Sequence, residues 1–171
     1  ISHFTEHAAF LGTKKYPSVQ VLAEMEEQIG AYFNAFTSSD KTYYIFKAPH
    51  LYTQKALELL YEHVFRPLAV EEKLIKERGV IVSEFNDFWH TPDKRFFFES
   101  WKRRFKAENH PYTYRPLGRP ETINSFDREK VLAWREQYYN PVNMTLGITG
   151  HIDNKKIIKL IEPLFGQVKR G

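Results

Sequence analysis

The chain opens on His3-Phe4-Thr5-Glu6-His7, and no other stretch of its 171 residues is as rich in chemistry. In a helix, His3 and His7 stand one turn apart on one face, with Glu6 beside them. Two imidazoles and a carboxylate then converge on one point. A zinc ion takes neutral imidazole nitrogens at about 2.0–2.1 Å and, for catalysis, keeps one position open for a water whose proton a neighbouring carboxylate removes. The order H-x-x-E-H is the inverted form of the zinc signature H-E-x-x-H. Short motifs also arise by chance, and the bland alternative is a surface helix with solvated histidines. A third ligand must therefore come from elsewhere in the chain.

The segment from Glu71 to Trp89 supplies candidates. Leu74, Ile81, Phe85 and Phe88 recur at helical spacing, so it reads as one long helix despite Gly79, which costs about 1 kcal/mol relative to alanine in an exposed helix interior. Glu77 and Glu84 lie two turns apart and share a face. Val80, Ile81 and Phe88 give that face an apolar character, and a carboxylate in such company needs a partner. An ordinary amphipathic helix with both glutamates in water is the competing reading.

Three further stretches follow in order: Phe10-Leu-Gly-Thr-Lys-Lys-Tyr-Pro17, Asn34-Ala-Phe-Thr37, and Tyr139-Asn-Pro-Val-Asn-Met144 followed by Gly150. Together with H-x-x-E-H, a glutamate seventy-seven residues beyond its second histidine and another seven before that, they resemble the pitrilysin/insulinase family of zinc peptidases, which includes the mitochondrial processing peptidases. The resemblance covers essentially the whole chain. It implies that His3, His7 and Glu84 bind Zn²⁺ and that Glu6 is the catalytic base activating the metal-bound water. Glu77 would orient a ligand or the water network from behind the metal. Asn34, Ala35, Phe36 and Thr37 would form a sheet edge beside the metal that holds an extended peptide by its backbone.

The activity implied is that of a zinc-dependent endopeptidase acting on peptides or unfolded segments held in extended form. The alternative is a non-catalytic zinc-binding or structural subunit of the same fold. The resemblance also implies an α+β domain, with a mixed or antiparallel sheet packed by helices and without the family's first strands. Residues 1–171 would then be a single, amino-terminally truncated, catalytic first domain whose partners are the peptide substrate and a second homologous domain or subunit.

To bring the two clusters together, the zinc motif must sit on a helix, read here as about Ser2 to Leu11, that faces the long one. Ser18 caps a second helix to about Ile29, with Glu24, Glu26 and Glu27 on its wet side. Alternating β-formers predict a hairpin: Ala31 to Thr37, a turn at Ser38 to Lys41, and Thr42 to Lys47. Helices follow at Tyr52 to Phe65, Val70 to Trp89 and Pro92 to Ala107. A loop through His110 and Gly118 leads to a helix capped by Ser125 or Asp127 and ending near Tyr138. A strand from Met144 to Thr149 and a helix from Asn154 to Phe165 close the chain.

Composition bounds these readings. A content of 42% hydrophobic and 16% aromatic residues is ample for one domain with a real core. No run of eighteen apolar residues exists, so no membrane span is expected. The absence of cysteine leaves histidine and carboxylate as the plausible zinc donors. No signal peptide is visible, and the start need not be the natural one. The compartment is not identified by the sequence, and the lean is to a soluble, cytoplasmic protein. The net charge of +4 and the Trp101-Lys-Arg-Arg-Phe-Lys106 cluster raise the idea of a nucleic-acid patch. That charge is small, and Lys102, Arg103 and Lys106 fit one solvated helix face, so no nucleic-acid partner is expected. Phe96, Phe97 and Phe98 with Trp101 read as core or domain-interface packing. The remaining histidines are scattered along the chain.

Overall fold

A computed structural model of the protein describes residues 1–105 and 110–170. Its first helix, α1 (Ser2–Ala8), has only seven residues, too short to be stable alone in water. What it buries holds it. Phe4 and Ala8 enter a core with Ala69, Leu74, Ile81, Ile123 and Val131, and complete burial of the Phe4 ring is worth about 1.5–3 kcal/mol. The ring also packs 5.6 Å from that of Phe126.

Helix α2 (Val19–Gln28) starts at Ser18, whose hydroxyl accepts the Val21 N–H at 3.3 Å. Strands β1 (Tyr32–Thr37) and β2 (Thr42–Lys47) form an antiparallel pair in register from Tyr32 opposite Lys47 to Thr37 opposite Thr42. Helix α3 (Thr53–Phe65) and α2 enclose a second core of Tyr16, Leu22, Ile29 and Leu59 under the hairpin. Helix α4 (Glu71–His90) lies against α1, and α5 (Pro92–Arg104) follows at once, with Pro92 in its first turn where the missing N–H costs nothing. A short α6 (Pro120–Asn124), then α7 (Arg128–Tyr138) capped by the Asp127 carboxylate, and α8 (Asn154–Phe165) complete the order. The architecture is α+β and helix-dominated, and among the described residues its sheet is the antiparallel pair alone.

Two sets of polar contacts anchor α4, one to the turn that follows α1 and one to the start of α7. The Lys73 ammonium donates to the Leu11 carbonyl at 2.6 Å. Arg78 donates to the Phe126 carbonyl at 2.9 Å and to Glu71 at 3.1 Å, while Glu71 also accepts the Arg128 N–H at 2.9 Å. The stretch after α1 explains the Phe10-to-Pro17 pattern. Gly12 has φ +105°, and a Cβ there would meet the Pro17 carbonyl oxygen at 2.5 Å, so only glycine fits. Buried Thr13 accepts the Tyr16 N–H at 3.0 Å and forms a bridge with Pro67.

Several expectations are corrected. Helix α1 ends at Ala8 and continues only as turns to Leu11. Asp127, not Ser125, caps α7, and α6 was not foreseen. Helix α5 ends at Arg104; Lys106 and Ala107, part of the expected helix and basic cluster, lie outside the described residues. Met144 to Thr149 forms no strand, and a groove of about 660 Å³ is lined by residues of β2 and by Thr145–Ile152. Val80 is 47% exposed and so does not contribute to a buried face of α4. Phe96 and Phe97 are exposed rather than core. Glu26 is not on the wet side of α2, for it accepts a hydrogen bond from buried His63.

Candidate metal centre

Helix α1 directs its apolar side, Phe4 and Ala8, into the core and its histidines toward α4. There the His3 and His7 Nε2 atoms lie 3.3 Å apart. The Glu84 Oε2 atom is 3.7 Å from each. A point equidistant from the corners of such a triangle lies about 2.1 Å from each, the length of a zinc–nitrogen or zinc–oxygen bond. These are the residues, among those described, whose ligand atoms cluster closely enough to hold a metal ion. The donor set, two imidazoles and one carboxylate, suits zinc and leaves further coordination positions to small molecules.

The two histidines are set differently. The His7 Nδ1 atom lies 2.6 Å from Glu77 Oε1, so the ring donates there and turns the Nε2 lone pair toward His3 and Glu84. Burial pulls the His7 pKa down, but the Glu77 hydrogen bond and the charges of Glu84, Glu77 and Glu6 outweigh it and leave the value above that of an ordinary histidine. His3 has no such acid behind it, and its Nδ1 is buried without a partner. Burial first, then neighbouring His7 and the chain amine, lowers its pKa from 6.5 to about 4. His3 is therefore neutral at pH 7, as a metal ligand requires. The glutamates divide likewise: the Glu77 side chain is 17% exposed and occupied by His7, whereas that of Glu84 is 42% exposed and opens on the cavity.

Glu6 faces the same space and is 5% exposed. Burial raises its pKa, a tendency that a hydrogen bond from the Thr37 hydroxyl and the His7 charge oppose and the Glu84 charge reinforces. Thr37 donates to Glu6 Oε2, leaving Oε1 without a protein partner among the described residues. Its hydroxyl is also 3.0 Å from that of Thr42 across the hairpin. The sequence indicated Thr37 only as part of an edge, since a contact over thirty-one residues leaves no local signal.

The histidines, Glu6, Glu77 and Glu84 line a cavity of about 870 Å³, together with Asn34, Ala35, Phe36 and Thr37 of β1. Asn34 turns its side chain back on the strand, where its carbonyl accepts the Ala35 N–H at 2.9 Å. Phe88, Phe97, Lys94 and the loop Arg115–Leu117 also line the cavity. Arg115 lies in the loop through His110 and Gly118, and no sequence pattern singles it out. Its guanidinium carbon sits 3.3 Å from the centroid of the Phe88 ring and 5.5 Å from that of Phe98. Behind the hairpin, the Tyr44 and Tyr139 hydroxyls meet at 2.8 Å, and Asn140 accepts the Val142 N–H at 3.1 Å, so the Tyr139-to-Met144 pattern is a structural corner.

The other histidines are structural or peripheral. His63 is buried, His110 accepts the Tyr112 N–H at 3.2 Å, and the rings of His50 and His151 meet at 5.2 Å, a pairing invisible in the sequence. No helix among the described residues is long and apolar enough to cross a membrane.

Comparison with known proteins accords with this geometry. Residues 1–111 match the model of the insulinase family, peptidase family M16, and residues 125–171 match that of the peptidase M16 inactive domain. The chain is 33% identical over 176 residues to an uncharacterized zinc protease of Rickettsia felis, covering 100% of this chain and 41% of that protein. A crystal structure of a protease from Helicobacter pylori superposes with a TM-score of 0.88 at 25% identity, over 99% of this chain and 40% of that one. The first half of the periplasmic protease PqqL from Escherichia coli does so with a TM-score of 0.82 at 26% identity, over 99% and 38%. The chain thus spans about two-fifths of the length of the proteins it matches. The periplasmic location of the E. coli protein lends the cytoplasmic expectation no support.

Proposed function

The chain belongs to the insulinase family, peptidase family M16, and from that membership we propose that it is the metal-binding and catalytic part of a zinc-dependent endopeptidase. The observation that carries the reading is the near-equilateral triangle of His3 Nε2, His7 Nε2 and Glu84 Oε2, with Glu6 buried beside it. His3, His7 and Glu84 would hold the zinc, and Glu77 would orient His7 through its Nδ1–H. When bound, zinc supplies a Lewis acid that makes water acidic enough to lose a proton near neutrality and polarises the carbonyl under attack.

Glu6 has the remaining work of moving the proton. Thr37 holds its Oε2, so Oε1 is the atom that accepts a proton from the attacking water and returns it to the leaving amine. The buried position that raises its pKa favours this exchange, because a base works best when its pKa lies near the working pH. The substrate would lie along the outer edge of β1, its backbone paired with Asn34 to Thr37, since the other edge of that strand is taken by β2. Such pairing tolerates many side chains. A second domain or subunit, furnished by the part of the relatives that this chain does not span, would close the cavity.

A second reading, a zinc-binding or structural subunit that performs no chemistry, is favoured by the match of residues 125–171 to the inactive-domain model. The metal and base residues all lie in the part that matches the insulinase model. Assaying peptide hydrolysis by the zinc-loaded full-length protein and its Glu6→Gln variant separates the two. The peptidase reading expects hydrolysis to fall by about 10²–10⁴-fold in the variant while zinc and fold are kept. Equal rates, or no hydrolysis by the wild type with zinc bound, favours the subunit.

A further inference from the structure

Arg115 is the cavity residue whose chemistry the metal and base leave unused. Its guanidinium stacks on Phe88, and its Nε is buried without a hydrogen-bond partner. Among the described residues it forms no ion pair, although Asp87 and Glu84 line the same cavity. Burial lowers its pKa. A guanidinium offers five donors in a rigid fork, and one held part-buried over an aromatic ring keeps that fork free for a planar anion. The residue also borders a second, aromatic groove of about 930 Å³ walled by Phe85, Trp89 and Phe98. It stands at the junction of the two spaces. Lys94 on α5 adds a second cation to the lining of the metal cavity.

We infer that Arg115 is a specificity residue that receives a carboxylate of the bound peptide, either an Asp or Glu side chain or a free carboxyl terminus. The inference rests on the peptidase reading and deepens it by naming the substrate class. Its place in the fold sets the reach. Phe88 follows Glu84 by one helical turn, about 6 Å along the axis, and an extended peptide advances about 3.3 Å per residue. The carboxylate therefore belongs within about two residues of the bond cleaved, next to apolar side chains that fit the aromatic groove.

The test uses the zinc-loaded full-length protein and pairs of quenched fluorescent peptides of one alanine- and leucine-rich sequence. In one set an Asp or Glu near the cleaved bond is exchanged for Asn or Gln; in the other a free terminal carboxylate is exchanged for its amide. The expected result is a kcat/KM preference of about 10-fold or more for the acid over its neutral counterpart, as a charge-assisted hydrogen bond provides. The set that shows the preference identifies the source of the carboxylate. Arg115→Gln should bring the ratio to about one, and Arg115→Lys should restore part of it. Equal cleavage of both members by the wild type, or a preference that survives in Arg115→Gln, overturns the inference. Failure to cleave any peptide would count against the peptidase reading instead. In that event the same pairs, fluorescently labelled, are compared by anisotropy, and equal affinities for acid and neutral peptides in the wild type overturn the Arg115 assignment.

Discussion

Among the described residues, two hydrogen-bonded histidine–glutamate pairs have the same length, and one of them belongs to the candidate site. His7 meets Glu77 at 2.6 Å and His63 meets Glu26 at 2.6 Å. His63 commits its second nitrogen too, with Nδ1 2.8 Å from the Ala9 carbonyl and its ring stacked 3.8 Å from Phe33. Every polar atom of that imidazole is satisfied within the fold, so it joins α3 to α1 and α2 and has nothing left for a ligand. His7 spends one nitrogen on Glu77 and directs the other at His3 Nε2, 3.3 Å away, and Glu84 Oε2, 3.7 Å away. A part-buried carboxylate beside a histidine is thus no mark of function by itself. The unspent lone pair is, together with the other donors that converge on it.

The sharpest way to break this comparison is to delete each imidazole. His7→Ala should abolish tight zinc binding and leave a folded chain, measured by metal content after dialysis against a chelator. His63→Ala should leave the metal site intact but strand Glu26 and the Ala9 carbonyl, lowering stability by about 1–3 kcal/mol or more in chemical denaturation. If both variants lost metal equally, the distinction between the pairs would collapse.

Changing the acids is gentler. Glu77→Gln should weaken zinc binding or activity by about 10–100-fold, because the amide supports the His7 ring less well than a carboxylate does. Glu26→Gln should leave zinc affinity as it is and shift only the unfolding midpoint. Thr37 tests the base in the same spirit. Thr37→Val removes the donor to Glu6 Oε2 and should slow hydrolysis roughly tenfold with zinc retained, while Thr37→Ser should recover most of the loss. The smallest effect expected is on the scaffold that carries both Glu77 and Glu84. Gly79 lies in the middle of α4, and a methyl group added there would meet nothing within 4 Å, so Gly79→Ala should stabilise the chain by up to about 1 kcal/mol in the same denaturation assay.

How far the sequence could be read follows from the range of each interaction. The zinc motif and the seven-residue step between Glu77 and Glu84 are periodicities within single helices, and a helix converts such spacing directly into a common face. The hairpin was legible for the same reason, since alternation and a polar turn act over a few residues. The Thr37–Glu6 hydrogen bond and the stacking of Arg115 on Phe88 join segments about thirty residues apart, and no local pattern announces them. Met144 to Thr149 shows the opposite failure. Its residues favour a strand, but a strand also needs a neighbour to pair with, which propensity does not provide. The exposure of Val80 and of Phe96 and Phe97, where a core position was one expectation, has a related cause. Apolar type alone does not say which way a helix is turned or what covers it.

The central claim is that His3, His7 and Glu84 form one zinc site, and X-ray absorption spectroscopy of the zinc-loaded full-length protein tests it most directly. The account predicts one zinc per chain, with two imidazole nitrogens and carboxylate or water oxygen at about 2.0–2.1 Å. It also predicts that Glu84→Gln reduces the affinity and alters the oxygen shell, whereas Glu26→Gln leaves the spectrum unchanged. A chain that takes up no zinc, or a spectrum with fewer than two imidazoles that is the same in wild type and Glu84→Gln, would contradict it.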